Sequence, residues 1–147
     1  MRTEDIPVLK KIYNNCINEG HTFEDIGEFE WAAESYKEAK ALADLIRMDG
    51  EFLHPMIVDC YRNAHNPKSA ISYFDSLKMV YDPSFIFNVG LLTSVAAAYC
   101  DDDQWEMAEQ TLHKAKDANK GEFNYEMYLI EDRIKQYYYE NKPNFYR

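Results

Sequence analysis

A chain of 147 residues with 46% hydrophobic and 15% aromatic side chains is long enough to bury one core and too apolar to stay disordered. Its 26 acidic against 16 basic side chains leave a net charge of -10, which disfavours direct binding to DNA or RNA, where phosphate neutralisation supplies most of the affinity. No apolar run reaches the roughly 18 to 20 residues that cross a bilayer, Met1-Arg2-Thr3-Glu4-Asp5 lacks the apolar core of a signal peptide, and Cys16, Cys60 and Cys100 make no disulfide framework, so buried thiols in a cytosolic protein are expected.

The first predicted helix covers about residues 5 to 26. Pro7 sits in its first turn, where the missing N–H costs nothing, and Val8, Ile12, Cys16, Gly20 and Phe23 follow helical spacing, with Glu19 a polar intruder, until Gly27. The second, about 29 to 48, lines up Ala32, Ala33, Tyr36, Ala39, Ala43 and Ile46 and stops at Asp49-Gly50. A third follows over about 51 to 64, with Pro55 in or near its first turn. The fourth, about 67 to 81, carries Ala70, Ile71, Phe74 and Leu77 and stops before Asp82-Pro83. Ser84 is placed to cap the fifth, about 85 to 100, and Asp103 with Glu106 forms a capping-box variant opening the sixth near Gln104. The acidic run Asp101-Asp102-Asp103 therefore reads as a solvated turn and cap. Lys120-Gly121 closes the sixth helix, and the seventh covers about 122 to 139.

These seven helices repeat a pattern. Ala32, Ala70 and Ala108 stand 38 residues apart, and other columns share the period: Tyr36, Phe74, Leu112; Ala39, Leu77, Ala115; Phe23, Tyr61, Tyr99, Tyr137; Gly20, Val58, Ala96, Ile134; and Cys16, His54, Leu92, Ile130. Several columns with one period are the mark of a repeat architecture. Short loops force antiparallel neighbours, and repeating a helix pair predicts a short right-handed all-α solenoid in which small residues admit the next helix and aromatics fill the space opposite.

This spacing resembles the tetratricopeptide repeat, over about residues 13 to 139, with the third unit (Leu92, Ala96, Tyr99, Ala108, Leu112, Ala115) the closest fit and a period of 38 against the family's usual 34. The resemblance implies one TPR-like domain over 1 to 141. It comprises repeats at about 13 to 50, 51 to 88 and 89 to 126, a capping helix at about 122 to 139, and a short aromatic tail over 142 to 147. It also implies a protein-binding scaffold whose concave groove is lined by the first helix of each pair. Carried over by register, that groove takes Asn14, Ile17, His21, Glu24 and Asp25 from the first unit, Phe52, Pro55, Asp59, Arg62 and Asn63 from the second, Gly90, Thr93, Ala97, Cys100 and Asp101 from the third, and Tyr128, Glu131, Lys135, Tyr138 and Tyr139 from the seventh helix. Ile17 and His21 stand where a Lys and Asn carboxylate clamp would begin, so a chaperone-tail peptide is not the expected ligand.

Nothing in the sequence assembles chemistry. His21, His54, His65 and His113 share no metal-ligand spacing, Cys60 and His65 lack two further ligands nearby, and no Gly-rich phosphate loop, HExxH or nucleophile elbow occurs. The expectation is a non-catalytic adaptor, chaperone or inhibitor, without cofactor or metal, binding a basic or amphipathic protein or peptide. Aromatics crowded near the carboxy terminus, Phe123 to Tyr146, extend this to binding or homodimer formation at that end. Small acidic proteins of three such repeats are similar in architecture to bacterial secretion chaperones. Two alternatives are an acidic mimic of nucleic acid, of the kind some phage-encoded inhibitors use, and a peptide-sensing regulatory domain.

Overall fold

The computed structural model describes residues 2–81 and 88–141. Among these residues a 3-10 turn at Thr3–Asp5 is followed by seven α-helices: α1 (Ile6–Asp25), α2 (Phe29–Leu45), α3 (Leu53–Asn63), α4 (Pro67–Val80), α5 (Val89–Asp101), α6 (Trp105–Ala118) and α7 (Tyr125–Glu140). No strand occurs among the described residues. The protein divides into two compact units, Met1–Ala70 and Ile71–Arg147, with the boundary inside α4. In the first, α1 packs on α2 and α2 on α3; in the second, α5 packs on α6, and α7 rests on both.

The first core follows the predicted α2 stripe: Ala32, Ala33, Tyr36, Ala39, Ala43 and Ile46 are all buried. On α1 the expected face is displaced. Tyr13, Cys16 and Gly20 are buried, whereas Val8 and Ile12 are exposed and Phe23 is half-buried. At about 100° per residue, Tyr13 and Gly20 lie on the same side of Cys16, while Ile12 and Val8 fall on the other. Gly20 is required by close approach, since a Cβ there would strike the ring of Tyr36.

The second core is built on α5, where every residue from Leu91 to Cys100 is buried. Ala108, Leu112 and Ala115 from α6 and Met127, Ile130 and Ile134 from α7 complete it. The aromatic column is deepest in its middle members, Tyr61 and Tyr99, while Phe23 and Tyr137, on the first and last of these helices, are half-buried. All three cysteines are free and buried.

The period is most regular in the backbone. Gly27, His65 and Asp103, 38 positions apart, each take a left-handed φ of 79°, 57° and 57°. Each is followed by an amide that donates back to the carbonyl five residues earlier: Glu28 to Phe23 at 2.8 Å, Asn66 to Tyr61 at 2.9 Å, Gln104 to Tyr99 at 2.9 Å. This is the bond pattern of a Schellman-type helix end. Only Gly27 announces it in the sequence; His and Asp occupy the left-handed region at moderate cost because their side chains tolerate it better than branched ones.

Several helix ends differ from expectation for the same local reasons. The Asp103 and Glu106 capping box is not formed: Asp103 is the left-handed residue after α5, Gln104 is the N-cap of α6, and no side chain caps it. α2 ends before Asp49-Gly50, where Arg47 turns left-handed and the Met48 amide donates to the Ala43 carbonyl at 2.8 Å. The expected cap Ser84, the start at Phe85 and the Asp82-Pro83 break lie outside the described residues, as does the 142 to 147 tail. Asn88 caps α5, its Oδ1 accepting from the Leu91 amide at 3.0 Å, and Asn124 does the same for α7 from Met127. Asn88→Ala and Asn124→Ala are each expected to lower stability by about 0.5–2 kcal/mol in urea titrations.

Candidate functional site

In the first unit the register-assigned residues gather at the carboxy-terminal ends of α1 and α3. His21, Asp25 and Asn63 are exposed, and Asp59 and Arg62 are half-buried, 3.8 Å apart as an ion pair. Beneath them a polar seam joins three helices. The Cys60 thiol donates to Glu24 Oε1 at 3.3 Å, and the Tyr36 hydroxyl meets His21 Nδ1 at 2.8 Å, with the two rings edge to face. Burial and the Glu24 carboxylate push both the Tyr36 phenol and the Cys60 thiol well above their usual ranges. Both stay protonated at neutral pH, so the thiol acts as a hydrogen-bond donor and not as a nucleophile.

The bonds from Cys60 and Tyr36 to the rim are absent from the sequence reading, which assigned Tyr36 to packing alone. The available signal was its hydroxyl, since a buried tyrosine needs a polar partner, and His21 adjoins the glycine over which its ring lies.

A second polar cluster lies at the α2–α3 corner. Lys40, only 5% exposed, pairs with Asp44 and with Glu51, and the buried His54 places Nε2 3.0 Å from Glu51 Oε2. Burial lowers the His54 pKa, and the Glu51 carboxylate opposes that shift. Lys40 belongs to a column not read in the sequence: Lys78 and Lys116 follow at the same period, pairing with Asp75 and Glu131. Lys40 and Lys116 each reach an acid outside their own helix.

In the second unit the predicted set separates. Thr93 and Ala97 are buried, each 3% exposed, so they offer no surface to a partner. The register placed them on an open face, but every residue of α5 from Leu91 to Cys100 is buried, so the side that carries Thr93 and Ala97 is covered as well. Asp101 pairs with Arg133 of α7 at 3.0 Å. Lys135 and Tyr138 come together on an open cleft of about 350 Å³ between α6 and α7, floored by Leu112 and Ile134 and flanked by Lys116 and Glu131. Hydrogen bonds from Lys116 and then Lys135 hold the Glu131 carboxyl below its usual range. Tyr128 and Tyr139 are exposed on α7 away from its buried Met127, Ile130 and Ile134.

No family model matches the chain. No curated protein and no solved structure matches it either. Among the described residues no three His, Cys, Asp or Glu side chains converge to hold a metal, and no helix is long and apolar enough to cross a membrane. What the first-unit rim can do follows from its charges. Glu24, Asp25 and Asp59 outnumber Arg62, which already leans on Asp59, so the rim is suited to receive basic side chains. The seam below fixes the helices that carry it.

Proposed function

We propose that the chain is a non-catalytic helical-repeat module of the tetratricopeptide type that binds a partner protein through the acidic rim at the ends of α1 and α3. The observation that carries this reading is that His21, Asp25, Asp59, Arg62 and Asn63 remain reachable by solvent above a seam, from Glu24 to Cys60, that ties their two helices together. Side chains presented on tied helices lose little freedom on binding, which favours recognition. A protonated thiol and phenol at the seam favour binding over nucleophilic chemistry.

The test is affinity capture from a lysate of the native host, identification of the partner, and titration of that purified partner. Asp25→Lys with Asp59→Lys should weaken binding at least tenfold, and Arg62→Glu should alter it, while circular dichroism stays unchanged. Binding indifferent to all three changes removes the rim from the interface. The net charge of -10 also favours a second reading, an acidic mimic of nucleic acid. On that reading duplex DNA displaces the chain from its partner, whereas a peptide-type interface resists such competition.

A further inference from the structure

α7 carries two apolar stripes. Met127, Ile130 and Ile134 face its own unit, while Tyr125, Tyr128, Leu129 and Tyr139 are 64%, 54%, 43% and 81% exposed at the same helical spacing on the opposite side. A helix buries one stripe against its own core; a second stripe of this size is the signature of a further helix-packing contact. The Tyr125 and Tyr128 rings lie near parallel with centroids 6.5 Å apart, and the exposed Phe123 meets Tyr128 at 6.3 Å.

The charges on that face identify its occupant. Asp132 and Lys135 lie between Tyr128 and Tyr139, and both are exposed. In an antiparallel pair of identical helices, residues equidistant from the twofold axis face each other. Tyr128 and Tyr139 are equidistant from the point between Arg133 and Ile134, and so are Asp132 and Lys135. A single axis therefore opposes tyrosine to tyrosine and acid to base together. Lys135 touches Glu131 at 3.2 Å, yet its side chain is 73% exposed and can reach outward. Arg133 is turned towards Asp101, while Glu131 divides its two oxygens between Lys116 and Lys135, so the Lys135 ammonium stands between its own helix's Glu131 and the outward face.

We propose that the outward face of α7 docks on the same face of a second copy of this chain, antiparallel, with Tyr128 opposite Tyr139 and Asp132 opposite Lys135. The contact is one helix face about 24 Å long, below the standard interface of about 800 Å² per partner, so a dissociation constant on the order of micromolar is expected. Two chains of charge -10 repel at long range, and salt screens that repulsion beyond about 8 Å at physiological strength. Dimerisation therefore strengthens from low to physiological salt, the opposite of what a basic ligand would show.

Sedimentation equilibrium from micromolar to several hundred micromolar tests this, with circular dichroism confirming that each variant folds. The expected result is a monomer–dimer equilibrium weakened at least tenfold by Asp132→Lys, by Lys135→Asp and by Tyr128→Ser with Tyr139→Ser. An equimolar mixture of the two single charge variants, and a chain carrying both swaps, should regain the original affinity, because acid again meets base across the axis. A monomer at every concentration, a dimer indifferent to both charge variants, or single-variant losses that the mixture fails to restore each overturn it. These variants leave α1 and α3 untouched, so partner binding at the rim is measured separately in the same proteins.

Discussion

Tyr36→Ala is expected to cost about 3–5 kcal/mol of stability, because a fully buried aromatic ring leaves a cavity the surrounding helices can only partly close. The ring is 0% exposed, lies against Gly20 and ends in the hydrogen bond to His21. Gly20→Ala attacks the same contact from the other side: the added methyl meets a ring that has no room to move, for a loss of about 1–3 kcal/mol. Ordinarily alanine would favour a helix interior over glycine by about 1 kcal/mol. In the Tyr36→Ala background the ring is gone, so Gly20→Ala should become neutral or stabilising. A double-mutant cycle by urea denaturation reads the coupling. Strictly additive losses would mean that ring and glycine are not in contact.

Tyr99→Ala is expected to remove about 3–5 kcal/mol as well. The side chain is 3% exposed in the last turn of α5, and burial followed by the nearby Asp75 raises its phenol pKa. Its column gives an internal control. Phe23 and Tyr137 occupy the same register but are half-buried, Phe23 edge to face with Trp31 and Tyr137 stacked on Trp105 at 4.6 Å. Truncating them should therefore cost less. Thermal scans should rank Tyr99→Ala as the most damaging of the three; no loss at Tyr99 would show that the column is not a packing register.

What could be read from the sequence was whatever depends on side-chain periodicity. The α2 stripe and the small residues of α6 are buried as spacing alone predicts, because apolar character and helical period agree there. Legibility ended where two periods competed. On α1 the columns pointed to Cys16 and Gly20, but apolar character drew Val8 and Ile12 into the same stripe although their angular positions lie off that face. It ended again where backbone conformation decides, as at His65 and Asp103, whose identities do not advertise a left-handed turn. Of the candidate surface, the α1 and α3 residues were placed on a reachable rim, whereas Thr93 and Ala97 required knowledge that α5 is covered all round. The hydrogen bonds of Cys60 and Tyr36 depend on which atoms meet across helices, which no single-chain spacing encodes.

The recurring turn at Gly27, His65 and Asp103 sets what kind of sequence drift the fold can absorb. Its geometry is held by main-chain atoms, the amides of Glu28, Asn66 and Gln104 closing on carbonyls five residues back. Three unrelated side chains therefore serve at the left-handed position, glycine without steric cost and His and Asp at a moderate one. Chain length there is a different matter. One residue added or removed between the turn and the following alanine would rotate every later position of that helix by about 100° and carry its small residues off the interface. Substitution is cheap at these corners and insertion is not, so the interval of 38 is held by phase even where the letters at the turn have nothing in common.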